Sequence, residues 1–501
     1  MHSLKLQKTT LLSLAALLGL ALTGFVLVWI STRWGAFLSD DSYAYIQPAR
    51  EALAGRGFTP SVWFPPMLPL MLIPLGWLGL EPLAGIRLLN AVLFGVNIVL
   101  GGLLARRMGA SWGFALLAAA LTLFSENTLE AHAWAMSEAL YITCVLVALH
   151  FLLPYFTTEG RPAMRWLLIS AAAASFAGLT RLVGVVLTLT VICGILLFNP
   201  RRSWPARLRH GLIYGVVGNM LAGIYYLHNL LTIGHIHGFT TYELSPFTWD
   251  TVKWYIYSTL SWFIPGRLLR EREILAALGL LLALGAAAGF LAWRRKTLWA
   301  ALWNGMPAIF WILWGFTAAN YLMLIAARGV NQAAAFNERY LIPPLAMFIL
   351  GGVILLDRLW RGGGRWLRRG IGLLCLVYLG YYGLRTVDLV QNLHRTGLGY
   401  ANIGWHESET VPYLRAHPDL AAVATGSIGL YFWSGRLLPV ITNFDNPVSL
   451  RAYLCAHDGA LFIMKQMPTT IYHLDEAEVV NGLVVAQEFN DSVMYRCPAE
   501  P

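Results

Sequence analysis

Two carboxylates stand side by side at Asp40 and Asp41, in the stretch SDDSYAYIQPAREALAGRGF that follows the first apolar run of the chain. One is enough to cap the amphipathic helix that runs through Tyr43, Ile46, Arg50 and Leu53, by accepting hydrogen bonds from its free N–H groups, and Ser39 can do the same. The second carboxylate is surplus to that task. A carboxylate beside a hydroxyl removes its proton as the oxygen attacks an electrophile, so the pair is open to two readings, helix cap or general base.

The other candidates are cationic or mixed. Arg181 sits between two apolar runs, where an unpaired guanidinium costs about 3 kcal/mol or more at depth. It either snorkels to the interface or meets an anion, and its fork matches two phosphate oxygens at once. Arg339 in NERY, next to Tyr340, has the same chemistry, with Glu338 beside it as a structural ion-pair partner. Glu138 lies about one turn inside an apolar run, a position that is functional or bonded to a neighbouring helix. Arg267 follows WFIPG and is a candidate anchor for a loop over a site. His235 and His237 in GHIHG, with Glu243, have the residue types of a divalent-metal site, although two loop histidines more often bind nothing. No other cofactor is indicated: the chain has no Gly-rich phosphate loop, no HExxH and no nucleophile elbow.

The elements that must position these groups are set by composition. Of 501 residues, 57% are hydrophobic and 12% charged, about half the charged share of a soluble domain. Uncharged runs long enough to cross about 30 Å of hydrocarbon recur along the chain, which makes it a polytopic α-helical membrane protein. Spans are expected near 10–31, 83–105, 112–125, 133–153, 165–179, 182–198, 211–231, 274–292, 298–327, 340–357 and 370–387, about eleven in all, with the Pro-broken run 66–80 interfacial or re-entrant. The first is long for a signal peptide and lacks a small-residue cleavage site, so it reads as an uncleaved anchor.

A net charge of +10 would suggest nucleic acid in a soluble protein. Here the basic clusters at 106–107, 161–165, 201–209, 294–296 and 358–369 fall in alternate loops and report topology instead. They belong with the Lys-bearing N-terminus on the cytoplasmic side of a bacterial-type inner membrane, and nucleic acid is not an expected partner. The opposite side receives the loop 32–82, the loop 126–132, the turn at Arg181, the loops 232–273 and 328–339, and the tail. Asp40, Asp41, Glu126, Glu130, His132, Arg181, Arg267, Arg328, Glu338 and Arg339 therefore share the outer side. Such a boundary site suits a substrate with its tail among the membrane lipids and its head in water, as in a lipid-linked sugar phosphate.

Residues 1–390 read as the membrane domain and 391–501 as a small extracytoplasmic α/β domain, in which AAVATGSIG and ALFIMKQ are strand-like and SETVPYLRAH is helical with Ser408 or Glu409 near its N-cap. Cys144, Cys193 and Cys375 lie in apolar runs as packing residues. Cys455 and Cys497 lie in the tail and are open to pairing if it is extracytoplasmic, a point that spacing does not decide.

The stretch SDDSYAYIQPAREALAGRGF followed by WFPPMLPLML resembles the first outer loop of the GT-C membrane glycosyltransferases, in particular the protein-mannosyltransferase-like and aminoarabinose-transferase-like families of family-39 type. AMSEALY, GLTRLVG and NERYLIPPL fit the same pattern in the same order, over roughly residues 30–390. The resemblance implies a GT-C fold and an inverting transfer of a hexosyl or pentosyl group from a polyprenyl-phosphate carrier to a hydroxyl on a glycan, lipid or protein. It implies that Asp40 is the catalytic base. Asp41 departs from the commoner Asp-Glu form and is expected to hold the acceptor or share a metal, and Tyr43, Glu138, Arg181, Arg267, Glu338, Arg339 and Tyr340 are the candidate substrate contacts. Two rival readings remain open. A transporter or flippase would line mid-membrane depths with polar groups, and a polymerase or ligase of lipid-linked glycans would rely on a large outer loop such as 232–273.

Overall fold

The computed structural model describes residues 2–236, 249–263, 303–330, 338–467, 469 and 474–498. The chain forms two compact units: residues 1–31 with 45–391, and residues 32–44 with 392–501.

The first unit is helical. Its elements are α1 (His2–Ser31), most of α2 (Asp40–Leu53), α3 (Met67–Trp77), α4 (Pro82–Arg107), α5 (Trp112–Leu123), α6 (Glu126–Ala133), α7 (Glu138–Thr157), α8 (Gly160–Thr180), α9 (Gly184–Leu197), α10 (Trp204–Gly218), α11 (Met220–Ile233), α12 (Trp249–Leu260), α13 (Ala308–Val330), a 3-10 turn at Glu338–Leu341, α14 (Ile342–Gly362) and α15 (Arg365–Thr396). Among the described residues seven helices are long and apolar enough to cross a membrane, and the pair α10–α11, bent by 51°, makes an eighth if it is one span. The chain is a multi-pass membrane protein.

Against the eleven expected spans, seven are met by these helices. The run 211–231 is broken at Asn219, whose side chain donates to the Gly215 carbonyl, a local insertion of the kind that kinks helices. The runs 112–125 and 182–198 form helices of only 12 and 14 residues, too short for a full crossing without help from neighbours. The run 274–292 lies outside the described residues.

In lipid, apolar burial does not drive helices together, so close fit and internal hydrogen bonds must do so. α1 lies against α4, and a Cβ added at Gly95 would come within 2.9 Å of the Ala21 carbonyl oxygen. α7 packs on α8, and α9 on α13, around a core in which Tyr141, Tyr155, Tyr214, Phe310 and Phe316 are fully buried. Two of these tyrosine hydroxyls find polar partners in the core: Tyr214 meets Ser170 Oγ at 3.2 Å, and Asn199 donates to the Tyr155 oxygen at 3.1 Å.

The second unit holds a four-stranded sheet in the order β1-β2-β4-β3, with β1 (Ala422–Ala424) parallel to β2 (Ala460–Met464), and β4 (Ser492–Arg496) antiparallel to both β2 and β3 (Val484–Glu488). β1 and β2 are wholly buried, as the unalternating apolar runs of parallel strands require. The expected helix appears as Thr410–Ala416, and Ser408 Oγ accepts from the Val411 N–H at 3.0 Å. Cys455 and Cys497 are disulfide-bonded, with Cα atoms 5.4 Å apart, well within the range of an unforced bridge. The segment 32–44 is tied to this unit by backbone pairing: the Tyr400 N–H donates to the Leu38 carbonyl at 2.9 Å.

Candidate functional site

In the second unit, α2 begins at Asp40, so both aspartates sit in its first turn, where the free N–H groups favour negative charge. Ser39 precedes the helix, with its N–H donating to Ser42 Oγ at 3.0 Å and the Ser42 N–H returning to the Ser39 carbonyl. Asp40 is exposed and accepts a hydrogen bond from the Tyr400 hydroxyl at 2.6 Å. Asp41 is half-buried, and the Tyr43 ring meets Tyr431 edge-on with centroids 4.9 Å apart. Tyr400 is itself fixed, since Trp433 Nε1 donates to its carbonyl at 2.6 Å and its ring packs on Trp405 and Phe432. Sequence patterns missed Tyr400: it lies 360 positions from Asp40, and no local spacing joins them.

In the first unit the structure gathers Glu138, Arg181, Arg339 and Tyr340. Glu138 opens α7 and is 1% exposed, with Arg181 Nη1 at 2.7 Å and Arg339 Nε at 3.8 Å from its Oε1. Arg181 also donates to Ser137 Oγ at 3.2 Å, and Ser137 in turn meets the Tyr45 hydroxyl at 3.1 Å. Both guanidinium carbons lie over the Tyr340 ring, at 5.7 Å for Arg181 and 5.2 Å for Arg339, within cation–π reach. Arg339 reaches Met136 Sδ at 3.3 Å. Among the described residues two guanidiniums face one carboxylate here.

Local sequence explains how each group is held. In GLTRLVG, Arg181 is the extended residue between α8 and α9, and a Cβ on Gly184 would fall 2.5 Å from the Gly178 backbone. Only a glycine lets the chain reverse this tightly around the arginine. The α6–α7 turn is pinned from α4, where Asn90 donates to the Trp134 carbonyl at 2.6 Å and Asn97 to the Ala139 carbonyl at 3.2 Å. Asn97 Oδ1 accepts from Thr143, which turns its amide nitrogen toward His132 Nε2 at 2.9 Å. His132 must therefore accept at Nε2 and donate from Nδ1 to the Thr128 carbonyl, and full burial holds it neutral by lowering its pKa from 6.5 to about 4.

His235 is exposed just after α11. His237, Glu243 and Arg267 lie outside the described residues, as do the side chains of Glu338 and Arg328. Among the described residues no three His, Cys, Asp or Glu side chains come together as a metal site. Among the described residues an acid that meets Arg339 is Glu138, about two hundred positions away, a contact that no local spacing suggests.

Solved structures share this architecture. ArnT from Cupriavidus metallidurans bound to undecaprenyl phosphate matches with a TM-score of 0.62 at 15% identity, over 96% of this chain and 97% of that one. The Archaeoglobus fulgidus oligosaccharyltransferase tethered to an acceptor peptide gives 0.56 at 12% identity, over 97% and 74%. AglB from Archaeoglobus fulgidus with an inhibitory peptide and a dolichol-phosphate gives 0.53 at 11% identity, over 91% and 70%. No protein-family model matches the sequence, and no curated protein sequence does. The fold is that of the GT-C membrane transferases, as the sequence resemblance implies.

Proposed function

We propose that this GT-C-fold chain is an inverting glycosyltransferase that moves a sugar from a polyprenyl-phosphate carrier to a hydroxyl acceptor at the outer face of a bacterial-type inner membrane. The observation that carries the reading is the state of Asp40. It is exposed, it opens a helix, and among the described residues its hydrogen-bond partner is a neutral tyrosine hydroxyl, so the carboxylate is not consumed by an ion pair.

In this reading Asp40 takes the proton of the acceptor hydroxyl while that oxygen attacks the anomeric carbon from the face opposite the phosphate. The bond from the anomeric carbon to the phosphate oxygen breaks, and its electron pair leaves with the polyprenyl phosphate. That leaving group already has a low pKa and needs charge stabilisation rather than a proton, and the guanidiniums of Arg181 and Arg339 supply it. Asp41 orients the acceptor, and Tyr43 flanks it.

Three further observations support parts of this proposal. The bound undecaprenyl phosphate of the ArnT structure and the dolichol-phosphate of the AglB structure belong to proteins of the same fold. The Cys455–Cys497 bridge suits a tail outside the cytoplasm, since such bonds persist in oxidising compartments. The alternating basic loops favour an N-terminus on the cytoplasmic side.

Asp40→Asn, assayed in vesicles with a polyprenyl-phosphate sugar and a hydroxyl acceptor, is expected to lose transfer while keeping the fold and carrier binding. Near-wild-type turnover in that variant would remove the base assignment. Movement of the lipid-linked sugar across the bilayer without a new glycosidic bond would instead favour a flippase.

A further inference from the structure

A polar concavity lies within the helical unit, and none of Glu138, Arg181, Arg339 and Tyr340 lines it. It encloses about 180 Å³ between the start of α6, the end of α12 and α15, and Glu126, Asn127, Tyr257, Ser261, Trp262 and Arg385 line it. Its walls are fixed by hydrogen bonds that do not involve any ligand. The hydroxyls of Tyr378 and Tyr382 both donate to the Trp262 carbonyl at 2.7 Å, Thr386 donates to the Phe124 carbonyl at 3.0 Å, and Ser125 caps α6 at the Thr128 N–H. A ligand therefore meets a preformed shape and loses little to ordering it.

The lining has the chemistry of hydroxyl recognition. Glu126 and Arg385 form an ion pair, which presents acceptor and donor side by side, and a hydroxyl needs both. Arg385 keeps a buried guanidinium nitrogen, Nη1, with no hydrogen-bond partner among the described residues. A buried donor left unmet is costly, so a ligand oxygen at that point is favoured. Glu130 and Asp388 both add negative potential at Glu126, which disfavours a phosphate or carboxylate there. Burial also pushes the Glu126 and Glu130 carboxyls above their usual range, in keeping with a partly dehydrated site. Tyr257 and Tyr382 line the cavity beside these groups and its wall is mostly polar, in keeping with a ligand held through hydroxyls. The space is smaller than the roughly 300–1,000 Å³ of a drug-sized pocket and suits a single ring.

We propose that this cavity is a saccharide-binding site that holds one uncharged sugar ring through its hydroxyls, between the Glu126–Arg385 pair and the Trp262 side. The claim stands apart from the transfer reading, since none of the residues assigned to that reaction line the cavity.

Saturation-transfer NMR on the full chain in lipid nanodiscs, with a panel of methyl pyranosides as probes, tests it. At least one pyranoside is expected to receive saturation. Glu126→Gln and Arg385→Gln are expected to weaken its binding roughly tenfold or more, the loss that accompanies one hydrogen bond to a charged group. Ser261→Trp fills the space without touching the ion pair and is expected to abolish the signal, so the test does not depend on variants of the pair folding. Asp40→Asn is expected to leave it intact, even if it abolishes transfer. The proposal is overturned if no pyranoside receives saturation, or if Ser261→Trp leaves the signal unchanged. It is equally overturned if inorganic phosphate displaces the probe from the wild type but not from Arg385→Gln, since the cavity would then be an anion site.

Discussion

Glu138 and Asp40 are both the first residue of a helix, α7 in one unit and α2 in the other, and the two could hardly be more differently treated. Glu138 is 1% exposed, lies against two guanidiniums, and rests on a turn pinned by two asparagines from α4. Asp40 is open to solvent and holds a single tyrosine hydroxyl. A buried carboxylate between arginines is committed, because removing it strands two like charges away from water. An exposed carboxylate with one neutral partner keeps lone pairs free for a substrate proton. Position in a helix therefore does not tell an organising acid from a reacting one. Surroundings do.

The widest separation between the two is expected in turnover. Asp40→Asn should lower transfer by about 10²–10⁴-fold, the usual contribution of a positioned base, with an unchanged thermal midpoint measured on the same preparation. If the variant loses its fold along with its activity, the contrast between the two acids collapses. Glu138→Gln should do the opposite first. Stranding Arg181 and Arg339 costs about 3–5 kcal/mol, seen as a lower unfolding midpoint in detergent before any assay is run. A Glu138→Gln protein as stable as the wild type would show that the guanidiniums already have another anion.

A pH scan sharpens the picture of the turn that carries Glu138. His132 has a folded pKa of about 4 against 6.5 unfolded, so the folded state prefers its neutral form. Its contribution is complete above pH 6.5 and is lost as pH falls from there toward 4, a span of about 3 kcal/mol at most. Thermal unfolding recorded between pH 7 and 4.5 should show this slope, and His132→Gln should flatten it. The smallest effect belongs to Tyr400→Phe. Loss of its hydrogen bond to Asp40 is worth about 0.5–1.5 kcal/mol, so turnover should fall some 2–10-fold with no change in midpoint. A Tyr400→Phe enzyme as slow as Asp40→Asn would make the tyrosine a partner in the chemistry.

Hydropathy alone determined the membrane class, because a run of some twenty uncharged residues has few other stable destinations, and the motifs GLTRLVG, AMSEALY and NERYLIPPL pointed to Arg181, Glu138 and Arg339 as groups out of place in lipid. It overran at 112–125 and 182–198 and did not show the bend within 211–231, since composition measures apolarity but not where a helix ends or bends. The buried strands in the tail were equally legible as unbroken apolar runs, from ALFIMKQ to β2. Tertiary structure alone decided who meets whom. Arg339 finds Glu138, Tyr400 finds Asp40, and Glu126 finds Arg385. Each of these pairs is joined by packing between segments hundreds of residues apart, and charge pairing falls off over a few ångströms of space, a distance that sequence separation does not measure.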